Sequence, residues 1–468
     1  MSTVVEHLTR AERSAKGKVA RAEVPRAEHA SWSPAQRTQQ PLDLLAEQAQ
    51  TRVPELVPIR YGRMAASPFA YYRGAALPMA ADLSTTPRTG LNVQLCGDAH
   101  LSNFGGFASP ERDLLFDVND FDETSPGPFE WDLKRLGASL EIAARGRGFE
   151  AKVGRKWVLG SVRAYREAIR KCAQMSNLDV WYSRLDMGGV VEEWGSEVGS
   201  KVLENFRRAT TKAESKDQLK ARKKLTQVVD GVPRFRSDPP LLVPVSELMN
   251  AEDAGQIDKM IHEALRAYRR TLPGERRRLL ESYQYVDLAR KVVGVGSVGT
   301  RAWVGLFVGN DSDDTLILQV KEAEASVLER FVTKSPFNNH GQRVVEGQRL
   351  MQAASDIFLG WQRVPTGVDG RPHDYYFRQL WDWKASADVD TMSLEALNVY
   401  AKMCGWVLAH AHARSGNRVA VAAYLGSSDV FDQAIADFAV SYADQNAVDH
   451  RALVDAIAAG SVRAEMGV

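Results

Sequence analysis

The chain is poor in cysteine and has no excess of charge of either sign. Three cysteines, Cys96, Cys172 and Cys404, occur among 468 residues, which is too few and too scattered for a disulfide framework or a tetrahedral zinc site. Lysine and arginine number 60, against 59 aspartates and glutamates, so no global field attracts nucleic acid or an anionic membrane surface. Any charged ligand must therefore be held by a local site.

Long apolar segments are also missing. No run approaches the roughly eighteen apolar residues that a membrane span needs, and the first forty residues contain no apolar core of signal-peptide length. We therefore expect a cytoplasmic protein that binds neither nucleic acid nor a membrane. Because 468 residues exceed what one hydrophobic core usually serves, we also expect two or more lobes with a cleft between them.

Composition and periodicity divide the chain into four segments. Residues 1–40 are polar and predict a loosely attached arm with one helix. Residues 41–288 carry a loop rich in polar residues and then a helical pattern, with apolar residues at spacings of three and four. Residues 289–385 predict antiparallel strands with one helix, and residues 386–468 return to helices. The predicted fold class is α+β.

Residues 96–122 form a stretch rich in aspartate and asparagine. Phosphoryl transfer needs a carboxylate that orients the acceptor and oxygen ligands that hold Mg²⁺ on the phosphates. Asp98, Asn103 and Asp120 supply these groups, and a hairpin between them would bring the second acidic loop beside the first. Asp117 competes with Asp120 for the metal. For any one of these residues alone, capping of a turn or helix is the more common role.

A GxGxxG pattern occupies residues 294–299. Its functional candidates are Gly294, Gly296, Ser297 and Gly299. A dinucleotide fold would place a helix after this pattern, but here the sequence predicts another strand. Strand, glycine turn and strand, followed by a strand that ends at Lys321, is the arrangement with which kinases cover ATP phosphates. A tight hairpin without a ligand is the alternative.

Three further residues complete the predicted nucleotide site. Glu346, on a helix predicted at 342–355, is the candidate partner of Lys321, although Glu322 and Glu324 also lie nearby in the sequence. The backbone groups of Gln379 and Leu380 occupy the place of a kinase hinge and would meet adenine.

These motifs resemble the protein-kinase-like superfamily, specifically its aminoglycoside and choline kinase branch. The segment from Gly97 to Asn103, Gly-Asp-Ala-His-Leu-Ser-Asn, resembles the catalytic loop of that branch, and Asp120-Phe-Asp122 resembles its metal-binding motif. The resemblance implies that Asp98 is the catalytic base and that Asn103 and Asp120 bind Mg²⁺, with Asp122 as a second ligand.

Two further residues belong to this region: His100 lies within the loop, and Cys96 lies directly before it. His100 is grouped with the catalytic residues, although a hydrogen bond that stabilises the loop is favoured over proton transfer. Cys96 stands where the branch usually has histidine, a structural position, and is not interpreted as a nucleophile. An acidic residue opens the next helix of the branch and packs under the catalytic loop. Residues 130–136, Glu-Trp-Asp-Leu-Lys-Arg-Leu, resemble that segment.

The order of the motifs is reversed relative to an ordinary kinase. The helix from Leu397 to Arg414 resembles the one that normally precedes the catalytic loop, but the matching loop lies at residue 97. The resemblance implies a two-lobed kinase-like fold that is circularly permuted, with a mainly helical C-lobe and a small antiparallel β-sheet N-lobe. Circular permutation leaves a packed core unchanged.

Nearly the whole chain also resembles a broad bacterial family that carries only a domain-of-unknown-function label, number 2252, through residues 63–74 and the Gly97 loop. The predicted function is an ATP- and Mg²⁺-dependent phosphotransferase acting on an unidentified small-molecule or protein acceptor, with nucleotidyl transfer left open. A nucleotide-binding regulator without turnover and a metal-dependent phosphoesterase are the alternatives. Arg73 could reach a phosphate or form a buried ion pair that anchors the catalytic loop.

Overall fold

The computed structural model describes residues 7–197, 199–200, 204, 206–208, 210–211, 218–248, 254–292, 294–367, 369–380, 383 and 385–468. Over these residues the chain is a mixed α+β protein in which a helical body packs against an antiparallel sheet. None of the described helices is both long and apolar enough to cross a bilayer.

The helices are numbered here in chain order. They are α1 (Arg10–Glu23), α2 (Pro41–Ala49), α3 (Val57–Ala65), α4 (Pro68–Gly74), α5 (Ala76–Ser84), α6 (Glu130–Gly146), α7 (Ala151–Cys172), α8 (Asn177–Tyr182), α9 (Met187–Trp194), α10 (Gln218–Leu225), α11 (Val245–Leu248), α12 (Ala254–Arg269), α13 (Gly274–Leu280), α14 (His340–Met351), α15 (Leu394–Ser415), α16 (Arg418–Leu425) and α17 (Val430–Ala458).

The strands are numbered in the same way. They are β1 (Asn92–Leu95), β2 (Phe104–Ala108), β3 (Leu114–Val118), β4 (Ser125–Pro128), β5 (Thr226–Val229), β6 (Val232–Phe235), β7 (Leu242–Pro244), β8 (Gln284–Lys291), β9 (Ala302–Val308), β10 (Thr315–Ala323), β11 (Gly360–Val364), β12 (His373–Gln379) and β13 (Ala385–Ser386).

The helical body is built around α6, α7, α15 and α17, whose apolar faces share one large buried cluster with β1 and the loops that follow it. Helices α7 and α15 cross very closely. A Cβ at Gly405 would lie 2.0 Å from the carbonyl oxygen of Ser161, so this crossing requires glycine. The tight crossing fixes α15 beside β1 and β3, at the edge of the polar loops.

A six-stranded sheet of order β11-β12-β10-β9-β8-β7 forms the second part. Its neighbouring strands are antiparallel, and β8, β9 and β10 confirm the three strands predicted from the sequence. Because side chains alternate along a strand, β10 turns Gln319 and Lys321 toward the helical body, on what we call the inner face. Leu318, Val320 and Glu322 lie on the opposite, outer face.

The sheet begins earlier in the chain than the predicted boundary at residue 288. Strand β8 starts at Gln284, and β5, β6 and β7 lie in a stretch for which helices were predicted. The β5–β6 hairpin turns at Asp230 and Gly231, whose φ values are 49° and 78°. Asp-Gly between two apolar runs is a strong hairpin signal, so this hairpin could have been predicted from the sequence.

The N-terminal arm is firmly attached, contrary to prediction. Helix α1 packs on α16 so closely that a Cβ at Gly17 would lie 2.0 Å from the carbonyl oxygen of Ala420. Further along, Arg37 donates hydrogen bonds of 2.8 Å to both Asp82 and Asp449. The prediction was wrong because the polar composition of the arm comes from arginines that form ion pairs and cap carbonyl groups of the body.

Candidate active site

The loop from Cys96 to Asn103 leaves β1 through a left-handed turn. Gly97 has φ +83°, and a Cβ there would lie 2.2 Å from the carbonyl oxygen of Glu123, so no other residue fits. Below the loop, the carboxylate of Asp132 accepts hydrogen bonds from the backbone N–H groups of Cys96 and Gly97, at 2.9 and 3.0 Å. Asp132 thus lies at the start of α6 and under the loop, where the sequence predicted an acidic residue.

Arg135 holds Asp98 in a fixed orientation. Its Nε and Nη2 lie 2.8 and 2.6 Å from Asp98 Oδ1, and Nη2 also donates to the carbonyl oxygen of Tyr72 at 2.8 Å. The Asp98 side chain remains 18% exposed, so Oδ2 can be approached from the cleft. From the sequence, Arg135 was included only as part of the segment 130–136, and no role was predicted for it. Its position, one turn of α6 beyond Asp132, was the available signal.

The side chain of His100 does not make the predicted stabilising hydrogen bond. Its Nδ1 is buried without a partner among the described residues, and its Nε2 lies 3.7 Å from Asp98 Oδ2, beyond hydrogen-bond range. Burial, followed by the charges of Arg135 and Arg73, holds the pKa of His100 well below its usual value. The ring is therefore neutral beside the carboxylate.

Hydrogen bonds join the first loop to the second acidic loop. Asn103 Nδ2 donates to the carbonyl oxygen of Asp98 at 2.8 Å, and the N–H of Asn119 donates to the carbonyl oxygen of Asn103 at 2.8 Å. Asp120 and Asp122 follow directly. The β2–β3 hairpin makes this possible because it returns the chain to its starting point.

Lys321 connects the sheet to the acidic loop. Its Nζ forms an ion pair with Asp122 and lies 3.8 Å from Asp120 Oδ2, and Tyr376, its neighbour on β12, donates to Asp122 Oδ1 at 2.6 Å. Burial and then the charge of Asp122 raise the pKa of Asp120. Burial alone would also raise the pKa of Asp122, but Lys321 lowers it overall. The two carboxylates raise the pKa of Lys321 in turn, against the effect of burial.

The glycine loop between β8 and β9 also reaches Asp122. Ser297 Oγ donates to Asp122 Oδ2 at 3.4 Å. A Cβ at Gly296 would lie 2.9 Å from the carbonyl oxygen of Arg73, and Gly294 and Gly299 have φ values of +64° and +90°. The loop therefore contacts the backbone of α4 at Gly296. At Gly294 and Gly299 it adopts the left-handed backbone conformation that favours glycine.

Arginines from the preceding segment hold this loop. Arg63 donates to the carbonyl oxygen of Gly294, and Arg52 donates to that of Val298. The loop is thus tied down by side chains at both of its ends.

Arg73 lies between the acidic loops without a hydrogen-bond partner among the described residues. Its Nε is buried and unsatisfied. Burial lowers its pKa, and the charges of Asp98 and Asp120 act against that shift. Arg135, and not Arg73, is the arginine that pairs with Asp98.

Asp117 occupies a different environment from Asp120. Its Oδ2 accepts from the N–H of Ala353 at 3.1 Å and its Oδ1 from the N–H of Val118 at 2.9 Å. Burial raises its pKa to about 6, while the charge of Arg414 opposes that shift. Of the two candidates for the metal, Asp120 is the one beside Lys321.

The predicted pairing of Glu346 with Lys321 is not formed. Glu346 Oε1 lies 3.3 Å from Arg349 Nη1, whereas Lys321 is paired with Asp122. Another residue of α14 reaches the acidic loop: Arg343 donates to the carbonyl oxygens of Asp122 and Thr124, at 2.8 and 2.7 Å. Helix α14 thus contacts the acidic loop through the side chain of Arg343, which binds backbone carbonyl groups of that loop.

The predicted hinge has both of its backbone donors engaged. The N–H of Leu380 donates to the carbonyl oxygen of Ile317 at 3.0 Å, and the N–H of Gln379 donates to the carboxylate of Asp356. Residues 381 and 382, which follow, lie outside the described residues.

The acidic loop suits a cation that takes few protein ligands. Within the described part of the chain there is no group of three or more His, Cys, Asp or Glu side chains that could hold a metal ion. Mg²⁺ is usually bound through one or two carboxylates together with phosphates and water. Asp120 and Asp122 are two neighbouring, half-buried carboxylates, and Asn103 is joined to their loop by the hydrogen bond from the N–H of Asn119, so these residues fit Mg²⁺ in that mode.

The fold and the site define a mixed α+β protein in which acidic loops of a helical body meet a lysine of an antiparallel sheet. The chain belongs to a bacterial family described as an uncharacterized protein conserved in bacteria (DUF2252), whose model matches residues 52–456. This confirms the predicted family likeness. No curated protein and no solved structure matches the chain, so neither comparison supports the resemblance to kinases.

Proposed function

We propose that this protein is an ATP- and Mg²⁺-dependent phosphotransferase with a circularly permuted, kinase-like two-lobed fold. One observation carries the proposal. Lys321, from the sheet, pairs with Asp122 and lies 3.8 Å from Asp120, and hydrogen bonds through Asn103 and Asn119 join that acidic loop to the loop of Asp98. Both loops lie about two hundred residues earlier in the sequence, and Ser297 of the glycine loop also reaches Asp122. These are the group types that phosphoryl transfer requires.

The position of α15 supports the permutation. Tyr400 on this helix donates to the carbonyl oxygens of Leu101 and Phe104, at 2.9 and 3.0 Å. The helix therefore lies against the catalytic loop although it follows that loop by about three hundred residues. In an unpermuted kinase the corresponding helix leads directly into the loop.

The residues take the following roles in the proposed reaction. Asp98 accepts the proton of an acceptor hydroxyl through Oδ2, since Arg135 occupies Oδ1. The acceptor oxygen forms a bond to the γ-phosphorus while the bond from that phosphorus to the bridging oxygen breaks and ADP leaves. Asn103, Asp120 and Asp122 would hold Mg²⁺, which supplies charge stabilisation on the phosphates. Lys321 binds the α/β-phosphates.

Arg73 is a further ligand for the transferred phosphoryl group in this scheme. A buried guanidinium Nε without a hydrogen-bond partner is costly, and an anion bound near Asp98 and Asp120 would satisfy it. Guanidinium donors match phosphate oxygens in a bidentate manner. Its role would be to neutralise charge that develops during transfer.

A nucleotide-binding regulator without turnover is the second candidate. Lys321 is already paired with Asp122, and the N–H groups of Gln379 and Leu380 are already engaged. This arrangement favours a closed site that must rearrange to take ATP. A metal-dependent phosphoesterase has less support, because such enzymes gather several carboxylates and histidines around their metals and the described residues contain no such group.

Calorimetric titration of ATP, with and without Mg²⁺, tests the proposal on wild type, Lys321→Ala and the control Lys334→Ala, an exposed lysine. We expect Mg²⁺-dependent binding to wild type and to the control, and binding at least tenfold weaker to Lys321→Ala. Circular dichroism must show that Lys321→Ala is folded, since the change leaves two buried carboxylates without their cation.

The outcomes separate the candidates. Binding by wild type together with release of ADP in the presence of acceptor extracts supports the enzyme, and binding without any turnover supports the regulator. If wild type binds no ATP with or without Mg²⁺, both proposals are wrong.

A further inference from the structure

A cavity of about 510 Å³ lies on the outer face of the six-stranded sheet. It lies between the sheet and the helices α11 and α12, and its volume falls within the range of roughly 300 to 1,000 Å³ typical of small-molecule sites. Lys321 and Tyr376 project from the inner face of the same sheet. The cavity is therefore separate from the proposed nucleotide site.

The lining of this cavity is mainly apolar. Trp303, Phe307, Tyr375 and Phe377 line it from the sheet, and α12 contributes Ile261 and Leu265. These side chains come from alternate positions of their strands, as the pleat requires. Phe377 stacks on Tyr268 and Phe307 packs edge-on against Tyr285, so two of the lining rings are also held by neighbouring aromatic residues.

A glycine opens the floor of the cavity. Gly305 of β9 lines it without a side chain, between Trp303 and Phe307 on the same face. A Cβ at Gly305 would approach a ring carbon of Phe307 to 3.1 Å, so a larger residue at this point would have to displace the ring.

The polar and charged groups at one end of the cavity are paired with one another. His373 lies between Glu322 and Asp369, with nitrogen to oxygen distances of 2.6 and 2.8 Å. Arg301 lies 2.6 Å from Asp369 and 3.3 Å from Glu322. An anionic or cationic ligand would have to break one of these pairs, whereas a neutral ligand would leave them intact.

Two polar side chains in the lining have hydrogen-bond donors without a partner among the described residues. Arg290 pairs with Glu55 at 2.7 Å through Nη1, but its Nε is buried and without a hydrogen-bond partner among the described residues. The side-chain amide of Gln362, which also lines the cavity, forms no hydrogen bond within the described part of the chain. Both groups can donate to a ligand oxygen.

We propose that this cavity is a second small-molecule site, and that it binds a neutral, largely apolar ligand carrying one hydrogen-bond acceptor such as a carbonyl or hydroxyl oxygen. The apolar lining supplies the binding surface, Arg290 and Gln362 orient the oxygen, and the paired charges discriminate against ions. The proposal does not depend on the proposed phosphotransferase activity, because the site lies on the other face of the sheet.

The test uses the full chain and the neutral dye Nile red, whose emission shifts to shorter wavelength in an apolar site. Ala264→Phe fills the cavity from α12, and Glu263→Phe places the same ring at the adjacent, exposed position as a control. Val364→Trp fills the cavity from β11 and replaces Ala264→Phe if that variant does not fold. Competition uses 1-decanol and decanoate, which differ in charge but not in chain length.

We expect saturable binding of one dye molecule to wild type and to Glu263→Phe, with affinity at least tenfold lower in the filled variant. We also expect 1-decanol to displace the dye at concentrations at least tenfold lower than decanoate does. Unchanged dye affinity in a folded, filled variant, or absence of saturable binding to wild type, would overturn the site. More effective displacement by decanoate would overturn the assignment of a neutral ligand.

Discussion

Arg135 donates two hydrogen bonds, of 2.8 and 2.6 Å, to the same oxygen of Asp98. This relationship leaves the second oxygen of Asp98 facing the cleft and fixes the plane of its carboxylate. A base that is held in this way has no rotational freedom to lose when an acceptor binds. In the proposed reaction the two residues would have distinct roles: Asp98 would contact the acceptor, and Arg135 would position Asp98.

Replacement of Asp98 by asparagine tests the base directly. Asp98→Asn keeps the shape and one hydrogen-bond acceptor for Arg135 but cannot take a proton. We expect kcat for phosphoryl transfer to fall by roughly 10²- to 10⁴-fold, while the dissociation constant for Mg·ATP changes little. The measurements are a coupled ADP-release assay and calorimetry on the same preparation.

Asp113→Asn is the matched control for that variant. Asp113 is 47% exposed and pairs with Arg184 at 3.0 Å, in the same hairpin region but outside the cleft. Its replacement should leave both kcat and affinity unchanged. Turnover by folded Asp98→Asn at the wild-type rate would remove Asp98 from the mechanism.

Part of this arrangement could be predicted from the sequence because its signals are local. The loop at Gly97, the strand order around residues 294–321 and the strand that carries Lys321 each depend on turn chemistry and alternation within a few residues. These features depend on short segments whose conformation is set by their own residues.

Other features depend on partners that are distant in the sequence. Lys321 pairs with Asp122, not with Glu346, because the register of β10 and the return of the β2–β3 hairpin bring Asp122 closer. The attachment of the N-terminal arm through Arg37 depends on Asp82 and Asp449, which no local pattern indicates. The absence of a hydrogen-bond partner for Arg73 among the described residues likewise follows only from the packed structure.

Arg73 should be needed for turnover but not for folding. It forms no ion pair within hydrogen-bond distance in the described chain, so Arg73→Met should leave the free energy of unfolding near that of wild type. We expect kcat to fall by roughly a hundredfold or more, as for other donors that contact a developing charge. Chemical denaturation and the ADP-release assay measure the two effects.

Arg135→Met is the comparison for Arg73→Met. Because it leaves Asp98 without its cation in a largely buried position, it should destabilise the protein by about 3 to 5 kcal/mol. Equal destabilisation by the two variants would mean that Arg73 has the structural role of a buried ion-pair partner, contrary to the proposal.

Asp132 should control the conformation of the loop from Cys96 to Asn103. It is 1% exposed and accepts from two backbone N–H groups and from His412 Nε2 at 3.2 Å. Asp132→Asn places an amide N–H₂ against one of these donors, so we expect a loss of about 2 to 3 kcal/mol in the free energy of unfolding and a strong loss of turnover. Denaturant titration measures the first, and the ADP-release assay the second.

Asp179→Asn provides the control for that change. Asp179 also occupies the third position of its helix, α8, but it is exposed and interacts with Ser176. This variant should be within about 0.5 kcal/mol of wild type. If Asp132→Asn were equally mild, the loop would not depend on the Asp132 carboxylate.

Asp117 should make stability depend on pH in the weakly acidic range. Burial raises its pKa from 3.8 to about 6, so the folded state binds a proton more tightly than the unfolded state does. The contribution of Asp117 is then fully present below about pH 4 and is lost as the pH rises through about 6. A difference of about two pKa units corresponds to about 3 kcal/mol.

The variant Asp117→Asn isolates this contribution, since other buried carboxyls such as Glu123, whose pKa burial raises to about 7, act in the same direction in both proteins. Asparagine does not titrate, and it can still accept a hydrogen bond from the N–H of Ala353 or of Val118. We expect the free energy of unfolding of the variant, relative to wild type, to rise by up to about 3 kcal/mol between pH 4 and pH 7. Denaturant unfolding at half-unit pH intervals measures the difference. If the difference is flat across this range, the carboxyl of Asp117 is ionised in the folded protein with the pKa of an exposed group, and the charge of Arg414 must compensate fully for its burial.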